Sequence, residues 1–537
     1  MLSVRHNRVA MVVSLLLAVC FTLVSCSEED IASTSKKPNE IDSPGGTLSL
    51  VASTELADME AVIDKAESDL DMQIDLQFVD GTIETSNLIG YGEFDGRVDG
   101  VWLTTDRYLL QNGQAGKIVD PTPTALSPVA FGIRPQKAAE LGWDKKQPTW
   151  AEISQAAGAK EFTYGMTAPD RSNSGFSALV SVATALADTG AALQTSDIEA
   201  VAPEMQKFFS AQNLTSGSSG WLRDSYLDKA DRIDAMINYE SVLESMKRKD
   251  NIDLEVIVPS DGVVTADYKL ATMAAPKDDQ SAARVKAFKD WLLTEETQQQ
   301  ISTETFRRPV NSAVSPAPEL AERNLIELPF PATTQVSNAL VDSYTNKLRV
   351  PARTVFALDV SGSMEGDRLS ALQDTLRGLE GRADNGITHF RDREEVSYLP
   401  FSTEAHEMVS TTIDNARQES YAPLQQVTDS LIASGETALY DAVAKANGYA
   451  TERGDESISS VVLMSDGEVT SGLNLEAFRA EYKRLPEDKK KAPVFVILYG
   501  EADEGEMTEL AELTGGKVFD ARDGNLGQVF EEIRGYQ

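Results

Sequence analysis

Two apolar runs in the later part of the chain stop directly on an aspartate. Thr354-Val-Phe-Ala-Leu358 runs into Asp359, and Val461-Val-Leu-Met464 runs into Ser465-Asp466. A run that is apolar at successive positions, rather than alternate ones, belongs to a strand covered on both faces, as in a parallel sheet flanked by helices. Val396-Ser-Tyr-Leu-Pro-Phe401 and Val494-Phe-Val-Ile-Leu-Tyr499 are further strands of the same sheet. Parallel strands place their carboxyl ends at one edge, so Asp359 and Asp466 are expected side by side there. Val360-Ser361-Gly362-Ser363 follows the first aspartate, and Ser434-Gly-Glu-Thr437 opens a helix expected over 438–446. Carboxylate and hydroxyl oxygens converging on one edge suit a hard divalent cation. An EF-hand loop starting at Asp359 is excluded, because its sixth and twelfth positions would have to be Gly and Glu and are Met364 and Ser370.

Asp359-x-Ser361-x-Ser363, Thr437 and Asp466 together resemble the metal-ion-dependent adhesion site of von Willebrand factor type A domains. The resemblance covers 350–537 and implies a doubly wound, Rossmann-like α/β domain. It further implies Mg²⁺, with Mn²⁺ or Ca²⁺ as substitutes, bound directly by Ser361, Ser363 and Thr437 and through water by Asp359 and Asp466. One position on the metal would stay open for a Glu or Asp of a protein partner. No phosphate loop, His-Glu-x-x-His or Gly-x-Ser-x-Gly occurs, and neither His389 nor His406 falls in these motifs, so the expectation is binding and not catalysis.

Upstream, short apolar strands at 48–52, 74–79 and 100–103 alternate with helices at 58–69, 149–157, 176–186, 200–211 and 282–302. This alternation predicts parallel sheets with ligands at their carboxyl ends. A Pro-bearing stretch, 315–331, leads out of this half, and the two halves are expected to join near residue 340. Ser172-Asn173-Ser174-Gly175 opens an apolar helix, where free N–H groups and hydroxyls could hold an oxyanion or could form an ordinary helix cap. Ser53, Thr54 and Thr105 fall at strand ends, as cleft ligands or as turn residues.

Ser53-Thr54, Asp99-Gly-Val-Trp-Leu-Thr-Thr-Asp106, Ser127-Pro-Val-Ala-Phe-Gly-Ile-Arg134 and Thr149-Trp-Ala-Glu-Ile153 come in a telling order. Ser172-Asn-Ser-Gly-Phe176, Ile237-Asn-Tyr-Glu-Ser241 and Asp267-Tyr-Lys-Leu270 complete it. The series resembles extracellular solute-binding proteins of the two-lobed periplasmic type, over 47–312. That implies a two-lobed periplasmic-binding-protein-like domain, taken as 47–340, with cleft contacts at Ser53, Thr54, Thr105, Ser172, Asn173, Ser174 and Tyr239. Lys269 stands where that family more often has proline.

At the start of the chain, Arg5, His6 and Arg8 precede an apolar run over 9–24, the pattern of a secretory signal. Leu23-Val24-Ser25-Cys26 resembles the lipobox of bacterial lipoproteins. It implies a signal peptide over 1–25, a diacylglycerol and acyl lipid on Cys26, and residence at the extracytoplasmic face of the cell membrane. The polar stretch that follows is expected to serve as a flexible tether, 26–46. Charge decides what else the surface can hold. With 49 Lys+Arg against 85 Asp+Glu and a net charge of −36, the chain has no basic stripe for nucleic acid or for electrostatic attachment to anionic lipid.

The expected function is that of a cell-envelope lipoprotein binding protein partners through a Mg²⁺-dependent site, with the solute-binding-like half sensing or scaffolding beside it. The alternatives are a substrate-binding receptor of a membrane transporter and a metal-dependent assembly factor for another envelope complex.

Overall fold

The structure is a computed structural model that describes residues 37–79, 81–227, 232–321, 323, 325–383, 389–452, 457–466, 469–498, 504–521, 529–530 and 533. The expected signal, Cys26 and the first part of the expected tether lie outside the described residues, as do Gly467 and Tyr499. No helix among the described residues is long and apolar enough to cross a membrane.

Among the described residues, the first half holds eleven strands. They are β1 (Gly46–Ala52), β2 (Met72–Phe78), β3 (Gly100–Leu103), β4 (Ile118–Pro123), β5 (Ser127–Ile133), β6 (Tyr164–Thr167), β7 (Gln212–Ser216), β8 (Ala235–Tyr239), β9 (Glu255–Ile257), β10 (Thr265–Ala266) and β11 (Lys269–Met273). They form two sheets and so two lobes, one ordered β2-β1-β3-β11-β4 and the other β10-β5-β8-β6-β7, with β9 on β5. The sheets are mixed, where the sequence predicts parallel ones. β1 runs parallel to β2 and β3, but β11 is antiparallel to β3 and β4, and β5 is antiparallel to β8. The chain crosses from the first lobe to the second between β4 and β5 and returns between β10 and β11. The returning strand enters the first sheet in the opposite sense.

Buried side chains explain the helices that pack on these sheets. The Glu60–Leu70 helix turns Val62, Ile63, Ala66 and Leu70 inward. Trp102 of β3 meets Phe288 edge to face, with ring centroids 5.4 Å apart. The single helix expected over 282–302 is two, Ser281–Leu292 and Glu295–Thr305, divided at Thr294, whose hydroxyl accepts from Thr297 N and so starts the second. The helix expected at 200–211 is Thr195–Phe209 with Pro203 inside, and β7 begins three residues after it ends. Two boundaries also move. Pro38 and Ile41 are buried against the first lobe, so the end of the expected tether is packed. A helix over Thr334–Ser343, extended by a wider turn over Tyr344–Leu348, runs through the expected join at residue 340. Its Val336, Leu340, Tyr344 and Leu348 belong to the core of the solute-binding-like half.

The second half is one sheet of β12 (Ala352–Asp359), β13 (Glu395–Phe401), β14 (Val409–Thr412), β15 (Ile458–Ser465), β16 (Val494–Leu498) and β17 (Val518–Asp520), ordered β14-β13-β12-β15-β16-β17. All neighbours are parallel except the edge pair β13 and β14. One apolar layer packs on each face, built around Phe356 and Leu358 on one side and Val355 and Ala357 on the other. That two-sided covering is why the runs are apolar throughout.

Candidate functional site

The adjacency of β12 and β15 decides the geometry at the sheet edge. Their register pairs Leu358 with Met464, so Asp359 and Ser465 end the two strands together and Asp466 follows. Asp359 is wholly buried: its Oδ1 accepts from Ser361 N at 2.8 Å, and its Oδ2 accepts from the Ser465 hydroxyl. The Ser361 and Ser363 hydroxyl oxygens lie 3.0 Å apart, Ser361 buried and Ser363 exposed. The 434–437 loop is docked against them, Ser434 N donating to Val360 O at 2.8 Å and Gly362 N to Gly435 O at 3.0 Å. Thr437 is buried, with its N–H held by Thr470 Oγ1 at 2.8 Å. Asp466 Oδ2 accepts from Arg368 at 2.8 Å, while its buried Oδ1 has no partner among the described residues.

Electrostatics at this edge favour a cation. Burial pushes the Asp359 carboxyl above its usual range, hydrogen bonds from Ser361 and Ser465 oppose this, and the nearby Asp466 charge raises it further. Arg368, on the Asp367–Leu379 helix, is the basic group that bonds here, to Asp466 Oδ2 and to Ser363 O. The donor set is all oxygen and mostly hydroxyl, and the described residues contain no group of three or more His, Cys, Asp or Glu side chains placed to hold a metal ion. Two carboxylates, one of them with an orphaned buried oxygen, and a hydroxyl pair fit a hard divalent cation and not a softer metal. Such an ion supplies a point of positive charge able to accept an outside oxygen ligand.

In the other half, the residues expected at the cleft divide into two hydroxyl clusters, one per lobe. Ser53 Oγ lies 2.8 Å from Thr82 Oγ1 and 3.2 Å from Thr104 Oγ1, and accepts from Thr104 N at 2.9 Å. Ser174 Oγ lies 2.8 Å from Thr167 Oγ1, 2.7 Å from Ser219 Oγ and 3.3 Å from Ser172 Oγ. Asn173 donates to the Tyr239 hydroxyl at 2.9 Å. Ser172, Asn173, Ser174 and Tyr239 are therefore brought together at the start of the Asn173–Ala187 helix, with Ser172 at its cap position but making no side-chain cap bond. Thr54 is beside them only through the other lobe: its Oγ1 is buried without a partner among the described residues and sits 4.0 Å from where a Cβ on Gly220 would lie. Thr105 stands apart, its hydroxyl accepting from Arg107 N at 3.4 Å as a turn residue does.

The lobes touch. A Cβ on Gly81 of the first lobe would collide with the Arg171 carbonyl oxygen of the second, so glycine is needed for this approach. Glu55, also of the first lobe, is buried, and burial raises its pKa. A hydrogen bond from Ser219 across the cleft and the charge of Arg307 work against that rise. Thr82, Thr104, Ser219 and Glu55 were not singled out from the sequence. The signal for Ser219 was present, because Ser218-Ser219-Gly220 opens a helix as Ser172-Asn173-Ser174 does. Nothing local marked the other three.

Family models match both halves. The bacterial extracellular solute-binding protein family matches residues 81–307, and the von Willebrand factor type A domain matches residues 354–532. The chain joins an extracellular solute-binding domain to a von Willebrand factor type A domain. No curated protein matches it. Among solved structures, the periplasmic binding protein AfuA from Actinobacillus pleuropneumoniae, with bound fructose-6-phosphate, is 13% identical; the match covers 56% of this chain and 98% of that one, with a TM-score of 0.45. The sulfate-binding protein SubI from Mycobacterium tuberculosis is 18% identical over 55% of this chain and 96% of that one, with a TM-score of 0.42. A von Willebrand factor type A structure from Catenulispora acidiphila is 19% identical over 35% of this chain and 42% of that one, with a TM-score of 0.29. In the type A domain, the five expected metal residues come from three separate stretches of chain and gather at one end of the sheet. The solute-binding domain carries its seven expected ligand residues on both lobes, Ser53, Thr54 and Thr105 on the first and Ser172, Asn173, Ser174 and Tyr239 on the second.

Proposed function

We propose that the protein is an extracytoplasmic lipoprotein, anchored through Cys26, that binds a protein partner through a Mg²⁺ ion held by Asp359, Ser361, Ser363, Thr437 and Asp466 of its type A domain. The single observation behind this reading is the edge where β12 and β15 end together, with a buried Asp466 oxygen left over for a ligand. The bound ion would take a carboxylate of the partner at its open position. The solute-binding domain acts as scaffold or sensor beside it, and neither domain is assigned a catalytic step. In calorimetry on the full chain, Mg²⁺ should bind at one site, and Asp359→Ala should weaken it by about 10–100-fold. Partner capture from solubilised envelopes should be lost with chelator and with Asp359→Ala alike. If both left every interaction intact, the proposal would fail. Loss of an entire envelope complex, instead of a single adhesive partner, would identify an assembly factor.

The alternative is a substrate-binding receptor for a transporter, favoured by the paired hydroxyl clusters at two helix starts, Ser172–Ser174 and Ser218–Ser219. These suit a small solute, including an oxyanion. Native mass spectrometry finding a retained small molecule that Ser174→Ala releases would support it.

A further inference from the structure

Residues 326–337 lead towards the type A domain and touch both lobes on the way. Their first part is fixed to the second lobe. Val263 N donates to Ile326 O and Leu328 N to Val263 O, both at 2.9 Å, and the Glu327 carboxylate accepts from Thr265 N at 3.2 Å. Gly262 has φ +111°, and a Cβ there would lie 2.8 Å from Ile326 O, so this approach requires glycine. Phe330 meets Phe176 of the second lobe edge to face, with ring centroids 5.5 Å apart. The last part enters the Thr334–Ser343 helix, which packs on the Thr195–Phe209 helix of the same lobe.

Two residues of the first lobe reach across to this segment, both from the short Arg107–Gln111 helix that follows β3. Gln111 is bonded to it three times. Its Nε2 donates to Pro331 O at 2.6 Å, its Oε1 accepts from the Ser337 hydroxyl at 2.9 Å, and its carbonyl oxygen accepts from the Thr334 hydroxyl. The Arg107 guanidinium lies over the Phe330 ring, 5.3 Å from its centroid, and 3.6 Å from the Glu327 carboxylate. The two sides of these contacts belong to different lobes. A hinge rotation that draws the first lobe away from the second must therefore break them, together with the approach of Gly81 to the Arg171 carbonyl.

We propose that residues 326–337 form a clasp that, through Gln111 and Arg107, keeps the two lobes closed whether or not a solute is bound. The solute-binding domain is then held shut by its own chain, and release of the clasp is the step that admits or frees a solute. This stands apart from the metal-site reading and from the identity of any solute.

The test measures the distance between the lobes by pulsed electron spin resonance on the detergent-solubilised full chain. Cys20 and Cys26 are replaced by serine in every protein compared, and spin labels are attached at Glu60→Cys and Asp224→Cys. Both positions are exposed; Glu60 directly follows the Thr54–Met59 turn and Asp224 lies on the Ser219–Leu227 helix, which contact each other across the lobes. With no solute added, the clasped chain should give one short, narrow distance. Gln111→Ala removes two hydrogen bonds and should raise the ratio of open to closed molecules by about tenfold or more, read as a second, longer distance. Arg107→Ala with Gln111→Ala should make the longer distance dominant. Ser337→Ala, which cuts one bond from the clasp side and leaves the first lobe unaltered, should move the ratio the same way by a smaller factor, and serves if the Gln111 variants do not fold. A mainly long or broad distribution in the clasped chain, or a distribution unchanged by the double variant or, where that does not fold, by Ser337→Ala, would overturn the assignment.

Discussion

Arg368 would share Asp466 with the proposed cation. Its guanidinium is held 2.8 Å from Asp466 Oδ2, so it already neutralises one of the two carboxylates. Replacing it by glutamine removes both a competitor for that oxygen and a positive charge near the ion. Arg368→Gln should therefore raise Mg²⁺ affinity, by about 3–10-fold for a partly exposed charge, as read by calorimetry. Glu55 gives a pH prediction. Its folded-state pKa is raised above that of the unfolded chain, so the native state holds the extra proton. Its contribution to stability is then greatest while it is protonated and is lost as pH rises through the carboxylate range. Glu55→Gln should stay in the proton-bearing shape at every pH, and the Tm difference between variant and wild type should grow in the variant's favour from about pH 4 to pH 8. A difference that shrank over that range would contradict the assignment. Both residues lacked a sequence signal, because their importance comes from partners far along the chain, Asp466 for Arg368 and Ser219 for Glu55. The placement of Asp359, Ser361, Ser363, Thr437 and Asp466 at one sheet edge was legible, because apolar strand runs and a helix start announce where each falls.

Helix starts set the local accuracy of the reading. Thr149 caps its helix, accepting from Glu152 N while the Glu152 carboxylate takes Thr149 N. Thr294 does similar work where the apolar periodicity ran on unbroken, and so one helix was expected in place of two. Its hydroxyl also donates to Trp291 O at 2.9 Å, and the side chain is wholly buried. Thr294→Ala should cost about 1 kcal/mol or somewhat more in urea denaturation, and Thr149→Ala about 1 kcal/mol. The mixed sense of the lobe sheets was also out of reach. β11 reads locally like any other strand, and only the double crossing between lobes makes it antiparallel.

At the scale of the molecule, the connecting helix belongs to one side of the join. Leu340, Tyr344 and Leu348 are buried in the core of the solute-binding domain, Tyr344 meeting Phe209 with ring centroids 4.9 Å apart and donating to Gln212. A fragment of residues 37–348 should consequently be more stable than one ending at 333, by several kcal/mol at about 1.5–3 kcal/mol for each large buried side chain, as read from urea midpoints. Among the described residues, polar contacts between the domains include Asp170 with Arg391, Arg232 with Glu487 at 2.8 Å, and Lys517 over the Trp221 ring at 4.1 Å. A composition shift could announce two domains, but it carried no trace of this seam, because the residues that form it are ordinary surface charges until the two halves meet.

The packed end of the expected tether sets a leash length. Pro38 is buried and Ile41 lies in the core. An anchor at Cys26 would leave 38 − 26 = 12 residue steps between lipid and folded surface. Fully drawn out, that stretch reaches about 40 Å, and as a random coil it averages about 20 Å. A body tied so closely would sample only a thin shell above the bilayer. Any partner would then have to come from that shell, either from neighbours in the same membrane or from molecules that themselves approach the surface.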